Sequence, residues 1–390
     1  MPALSELPVY TGPLITCCDC EYVMPPNMHA VRCPSCGVGF LEPRFRQPLD
    51  WSDRVGCFTE RMAGVLSLRD NRTGRETLPL RSPIVVADDL AQWLGISRLL
   101  FKDESRLPTH TTKARMAAAA LPVLLEHGVR EFVVTSTGNS TTAMARLLRD
   151  CPELTMHAFA GREFQSRCGI TPAANVQLHV VDGDFVEAER VAKRFAQDAG
   201  LPLEGGFYNP ARRLGLATAF LEVWAESPIP PTHYFQAISS GMGLVGVGEL
   251  AVALPDRAGQ RALPKLIAVQ QDTCAPIVAA HSEDATSIEQ KHVVSSPVGP
   301  AKAILRGDPT GSYPHVRRWI KQSDGDAVAV SASQIRSAAA ELRSYGIDPS
   351  AEGAAALAAA LKFAHDGRFT KDACVMVNVT GGAQSEDMRG

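Results

Sequence analysis

From about residue 95 onward the chain alternates short β-rich apolar runs with longer stretches rich in Ala and Leu. The apolar runs predict strands at Arg98–Lys102, Glu131–Thr135, Met156–Phe159, Gln177–Val181, Tyr234–Ile238, Lys265–Gln270, Ala327–Val330 and Cys374–Val379. Between them, Lys113–His127, Thr141–Arg149 and Phe185–Ala199 read as helices. Alternation on this scale predicts α/β layers around a largely parallel sheet. There is no internal repeat. The Pro-rich stretch Ser227–Pro231 and the run from Ser282 to Pro314 read as connections, the second long enough to close over a site.

Length and charge narrow the class. A chain of 390 residues has room for two or three units of roughly 100 to 200 residues each. With 45% hydrophobic residues, 21% charged residues and a net charge of −3, nothing suggests a nucleic-acid groove or a membrane surface. The expected partners are therefore small and polar. Met1–Thr11 has no basic stretch leading into an apolar run, and no window approaches the roughly 20 apolar residues of a membrane span. A soluble cytoplasmic protein is expected.

The ten cysteines are unevenly spread, five of them lying between Cys17 and Cys36. Cys17-Cys18-Asp19-Cys20 and Cys33-Pro34-Ser35-Cys36-Gly37, separated by twelve residues, form a pair of C-x-x-C knuckles. Four thiolates at that spacing close tetrahedrally around zinc, and the turn residues Pro34, Ser35 and Gly37 suit the knuckle. The expected ligands are Cys17, Cys20, Cys33 and Cys36, with Cys18 able to replace Cys17. A site with no open position would be structural. The alternative is a set of reduced cysteines without metal.

Candidate chemistry centres on Lys113, in the frame Phe101-Lys102-Asp103-Glu104 followed by Pro108-Thr109-His110-Thr111-Thr112-Lys113-Ala114-Arg115. An amine that condenses with an aldehyde cofactor must lose its proton near neutral pH, and partial burial at a helix start lowers its pKa in that direction. Ser240-Gly241-Met242-Gly243-Leu244-Val245-Gly246 follows an apolar run and precedes a helix-like one, so its amides can cradle a phosphate. The same glycines read G-x-G-x-x-G with Asp272 downstream, which keeps a nicotinamide- or flavin-linked oxidoreductase as the alternative. Ser136-Thr137-Gly138-Asn139-Ser140-Thr141 offers hydroxyl and backbone donors for a substrate carboxylate, and Asn139 can donate to a phenolate oxygen on a cofactor ring. Thr380-Gly381-Gly382 ends the last apolar run. A threonine hydroxyl facing a pyridine nitrogen makes a weaker electron sink than a carboxylate partner does, and so favours elimination and replacement at Cβ or Cγ.

In this order the motifs resemble the type II pyridoxal-phosphate enzymes, and within them the threonine synthase group. The resemblance rests on Lys102-Asp103-Glu104, on Pro108 to Arg115, on Ser136 to Asn139, and on Asn209-Pro210-Ala211-Arg212 with Gly215 and Thr218. Ser240 to Leu244 and Thr380-Gly381 complete it. It implies a type II fold of two layered α/β domains behind an N-terminal zinc ribbon at 1–48. The smaller mobile domain would span about 105–205, and the cofactor domain about 206–390 with part of 60–104.

Carried over by resemblance, Lys113 forms the imine and shuttles protons, and Asn139 contacts the phenolate oxygen. Gly241, Met242, Gly243 and Leu244 hold the cofactor phosphate, and Thr380 faces the pyridine nitrogen. Ser136, Thr137, Ser140 and Thr141 bind the substrate carboxylate, with Arg212 available for an anionic group, as are Arg115 and Lys102. The implied cofactors are pyridoxal 5'-phosphate and structural Zn2+. The implied partners are a small amino-acid substrate and a second copy of the chain, with neither nucleic acid nor membrane.

The family reads P-T-G-S-F-K-D-R where this chain has His110, Thr111, Thr112 and Ala114, and Ala217 stands where a lysine is usual. These departures point from phosphohomoserine, the threonine synthase substrate, toward phosphoserine or O-acetylserine. Cysteate synthase, which replaces the phosphate of phosphoserine with sulfite, is a version within the same architecture, and a synthase of another β-substituted amino acid in specialised metabolism is an equal alternative. From another class, the ribbon could recruit a protein or nucleic acid beside an inactive α/β part.

Overall fold

A computed structural model describes residues 12–49, 51, 58–68, 80–135, 138–149, 151–162, 170, 173–183 and 185–383. In chain order the first elements are β1 (Leu14–Cys17), β2 (Val23–Met24), β3 (Leu41–Arg44), α1 (Phe58–Leu66), β4 (Ile84–Val86), α2 (Asp88–Leu94) and β5 (Arg98–Asp103). Next come α3 (Lys113–Glu126), β6 (Glu131–Thr135), α4 (Asn139–Leu148), β7 (Thr155–Gly161), β8 (Val176–Val181), α5 (Phe185–Ala199) and α6 (Pro210–Glu226). The remainder comprises β9 (His233–Ala237), α7 (Met242–Ala251), β10 (Lys265–Gln271), α8 (Pro276–Ser282), α9 (Tyr313–Gln322), β11 (Asp326–Val330), α10 (Ala332–Ser344), α11 (Ala351–His365) and β12 (Cys374–Val379).

The elements divide into two compact units. One comprises Met1–Leu80 and Lys113–Leu216 with Asp387–Gly390, and the other Arg81–Thr112 with Ala217–Glu386. In the first unit, β2-β1-β3 form a small antiparallel sheet around the cysteine knuckles. A separate parallel sheet, β6-β7-β8, packs Val133 and Phe159 against Ala192 and Ala196 of α5. Fully buried Arg213, in the first turn of α6, joins the ribbon to this unit. Its guanidinium donates to the Phe207 carbonyl at 3.0 Å and the Leu41 carbonyl at 2.5 Å, and sits 4.3 Å from the centre of the Phe40 ring.

The second unit is built on a six-stranded sheet, β11-β10-β9-β12-β5-β4, parallel except for the antiparallel edge strand β4. Side chains alternate across a strand. On one face Leu99, Phe101, Phe235, Ile267, Val269, Val375 and Val377 share a core with the alanine-rich side of α11 and with Ile335, Ala338 and Leu342 of α10. On the other face lie Lys102, Asn378, Tyr234 and Gln236, although a parallel sheet buried on both sides is normally apolar throughout.

One expectation changes here. Lys102, read as available for an anion, is fully buried: its amine lies 2.6 Å from the Glu222 carboxylate on α6 and donates to the Ser82 carbonyl at 2.6 Å. Leaving that charge unpaired inside the unit would cost several kcal/mol. The connection from Ser282 to Pro314 is fastened onto its own unit, with the Ala303 amide donating to Glu352 at 2.7 Å, the Ala301 amide donating to Gln271 at 3.2 Å, and Ile304 buried.

Candidate active site and metal centre

Lys113 is the first residue of α3 and is half-buried. Burial pulls its amine down to about 8, and the positive charge of Arg212 adds to the effect. A helix start suits this role, because the partial positive charge of the first turn disfavours a second cation. Arg212 differs from the expectation that it stands available for an anion. Buried in the first turn of α6, it pairs through Nη1 with the buried Glu204 carboxylate, while Nε is buried without a hydrogen-bond partner. Asn209, just before the helix, organises the corner by donating to the Glu204 carbonyl at 2.9 Å and accepting from the Arg212 amide at 3.3 Å. Arg115 is likewise fully buried.

In the same unit, Asn139 and Ser140 open α4 and are half-buried. Thr141 is 1% exposed, and its Oγ1 is buried with no hydrogen-bond partner. A buried hydroxyl at a helix start without an acceptor or donor costs free energy in the ligand-free chain and fits a missing anionic ligand. Ser136 and Thr137 lie outside the described residues.

In the second unit, Gly241 caps α7 directly after β9, in the left-handed region at φ 80°. A Cβ there would lie 2.4 Å from Val316 Cγ2, so glycine is required both sterically and conformationally. Met242, Gly243 and Leu244 form the first turn, whose N–H groups have no intrahelical acceptors. Such a turn suits a phosphate, and a loop built this way fits the phosphate of a pyridoxal cofactor. Thr380 is half-buried at the end of β12, and its carbonyl accepts from the Thr112 amide at 2.9 Å. Gly382 donates to the His110 carbonyl at 3.0 Å, so the segment ahead of Lys113 pairs with the segment after β12. His110 itself is left-handed at φ 53°. The family's glycine position is thus occupied by a side chain that pays a conformational cost, partly offset by the contact of its Nδ1 with the Ser105 carbonyl at 3.0 Å.

The sulfurs of Cys17, Cys20, Cys33 and Cys36 lie within 4.8 Å of one another, with Cys17 to Cys36 at 3.8 Å and Cys20 to Cys33 at 3.6 Å. Zinc–sulfur bonds near 2.3 Å in a tetrahedron require sulfur separations of roughly 3.8 Å. The amides of Asp19, Ser35 and Gly39 donate to Cys17, Cys33 and Cys36 at 3.4, 3.4 and 3.3 Å, which stabilises thiolates. Exposed Cys18 stands outside the cluster, and Cys17 belongs to it.

Three groups escaped sequence reasoning: Glu204 beside Arg212, Glu222 beside Lys102, and the polar set Tyr234, Gln236 and Asn378. Polar residues within the otherwise apolar β9 and β12 runs were the available signal.

Residues 76–381 match the family described as pyridoxal-phosphate dependent enzyme, more than half of the chain. The cysteate synthase of Methanoregula boonei is 30% identical over 322 residues, covering 78% of this chain and 76% of that protein. That of Methanocella paludicola is 28% identical over 389 residues, covering 94% and 89%. Among solved structures, maize serine racemase matches with a TM-score of 0.62 at 21% identity, over 77% of this chain and 89% of that one, a likeness of fold. The α/β fold is that of the type II pyridoxal-phosphate enzymes. The family match sets aside the oxidoreductase reading of Gly241, Gly243 and Gly246. No described helix is long and apolar enough to cross a membrane.

Proposed function

Since this chain belongs to the pyridoxal-phosphate-dependent enzyme family, we propose that it catalyses replacement at Cβ of an activated serine, with O-phosphoserine as substrate and a sulfur nucleophile such as sulfite. The observation that carries the reading is the placement of Lys113, half-buried as the first residue of α3, where burial pulls its amine down to about 8. Its support for the substrate comes from the cysteate synthase relatives and from the altered segment His110–Thr112. When bound, pyridoxal phosphate supplies an electron sink for negative charge developing at Cα.

The chain's own residues do the rest. Lys113 Nζ holds the cofactor before substrate arrives, then takes the Cα proton as the Cβ–O bond to phosphate breaks. After the sulfite sulfur bonds to Cβ, the same amine returns a proton to Cα. The hydroxyls of Ser140 and Thr141, with the α4 amides, bind the substrate carboxylate, the role that the resemblance also gives Ser136 and Thr137. Asn139 donates to the phenolate oxygen, Gly241 to Leu244 bind the phosphate, and Thr380 faces the pyridine nitrogen. Arg212, already paired with Glu204, acts mainly by keeping Lys113 deprotonated. Zinc in the four-cysteine site is structural, and the working enzyme is a cytoplasmic homodimer.

The test compares specificity constants. Purified enzyme with O-phosphoserine and sulfite should release phosphate and form cysteate with a kcat/KM well above that for phosphohomoserine conversion to threonine. The opposite ranking rejects the β-replacement reading.

A further inference from the structure

The polar residues on the α6 side of the large sheet form a directed chain ending at the glycine loop. Asn378 Nδ2 donates to the Tyr234 hydroxyl at 2.9 Å, and that hydroxyl donates to Gln236 Oε1 at 2.6 Å. All three are buried, at 1%, 0% and 6% exposure. With its oxygen held by Tyr234, the Gln236 amide turns its nitrogen toward the second residue of α7: a Cβ on Gly243 would lie 2.5 Å from Gln236 Nε2 and 2.9 Å from Oε1. Gly243 therefore makes room for this side chain. The one hydrogen bond of the Gln236 side chain among the described residues is at Oε1, which leaves Nε2 without an acceptor there. An oriented, nearly buried amide donor beside a helix N-terminus adds to a set made only of donors, and such a set selects an anion with several acceptor oxygens.

We propose that Gln236 Nε2 donates to the phosphate of the bound cofactor, beside the main-chain amides of Gly241 to Leu244, and that Tyr234 and Asn378 are positioning residues for that amide. The proposal rests on the cofactor reading above. A neutral side chain adds one directed bond here without introducing a cation.

The experiment uses full-length protein freed of cofactor and titrated with pyridoxal phosphate and with phosphate-free pyridoxal. For Gln236→Met, affinity for pyridoxal phosphate should fall roughly tenfold or more while affinity for pyridoxal stays within about twofold. The near-isosteric Gln236→Glu, which sets a carboxylate against the phosphate, should lose more. Tyr234→Phe, which frees the amide to rotate, should lose less, and these two variants decide the matter if Gln236→Met does not fold. Equal losses for both cofactors would assign Gln236 to packing and overturn the proposal. So would an unchanged cofactor ratio with a raised KM for a phosphorylated substrate, which would assign the donor to the substrate. If wild-type protein takes up neither cofactor, the cofactor reading fails and the proposal falls with it; if only the ratio is unmoved by Gln236→Met, the cofactor reading stands alone.

Discussion

Arg213 donates to the main-chain carbonyl of Leu41, bonding the last ribbon strand to the first turn of α6. The Ala211 amide reinforces the contact by donating to the Met28 carbonyl at 3.2 Å. Arg212, the neighbour whose charge acts on Lys113, lies between these two bonded residues. The ribbon is thereby part of the scaffold that holds the surroundings of Lys113.

Arg213→Met should consequently destabilise the chain by about 1–3 kcal/mol, because the buried carbonyls of Leu41 and Phe207 lose their donor. Removal of zinc by a chelator should lower the thermal midpoint as well, since metal binding is coupled to ribbon folding. Substoichiometric zinc in protein purified without added metal, with a thermal midpoint indifferent to chelation, would favour unmetallated knuckles.

Lys113→Ala should abolish covalent cofactor attachment, and borohydride reduction of wild-type protein followed by peptide mapping should find the pyridoxyl group on Lys113. In the cofactor-free protein, the rate of attachment should rise as pH passes through about 8 and then level off, instead of rising toward the ordinary lysine value of 10.5. The sign follows from the neutral amine being the nucleophile. Arg212→Gln, which removes a nearby positive charge, should move that midpoint upward. Because the folded lysine releases its proton at lower pH than the unfolded one, this group's contribution to stability improves as pH rises from 8 to 10.5.

Thr141→Val tests the carboxylate loop in two directions. Its hydroxyl is buried without a partner, so removing it should leave stability unchanged or raise it by about 1 kcal/mol. If that hydroxyl binds substrate, KM for the amino acid should rise roughly tenfold with kcat little changed. An unchanged KM, read by steady-state kinetics, would remove Thr141 from the substrate site.

Glu222→Ala should be severe, costing about 3–5 kcal/mol in urea unfolding, because it leaves the fully buried Lys102 ammonium without its carboxylate. The double replacement Lys102→Met with Glu222→Leu should recover most of the loss. Equal stability of the single and double variants would mean that the ion pair is not what holds this part of the unit.

The sequence by itself determined the elements and the chemistry set between them. Strand and helix periodicities are local, so the alternation after residue 95, the lysine at the start of α3 and the glycines running from Gly241 into α7 were all legible before any contact was known. The four-cysteine spacing was legible for the same reason, since each knuckle is a turn of a few residues. Tertiary structure decided which charges are spent. Lys102 meets Glu222 across 120 positions of chain, and Arg212 is paired with Glu204 only because the turn at Asn209 folds one back on the other. Asn378 and Gln236 become neighbours of one hydroxyl because β12 enters the sheet beside β9. A hydrogen bond or ion pair of this kind depends on distances between side chains far apart in sequence, and those distances exist only once the strands have taken their order in the sheet.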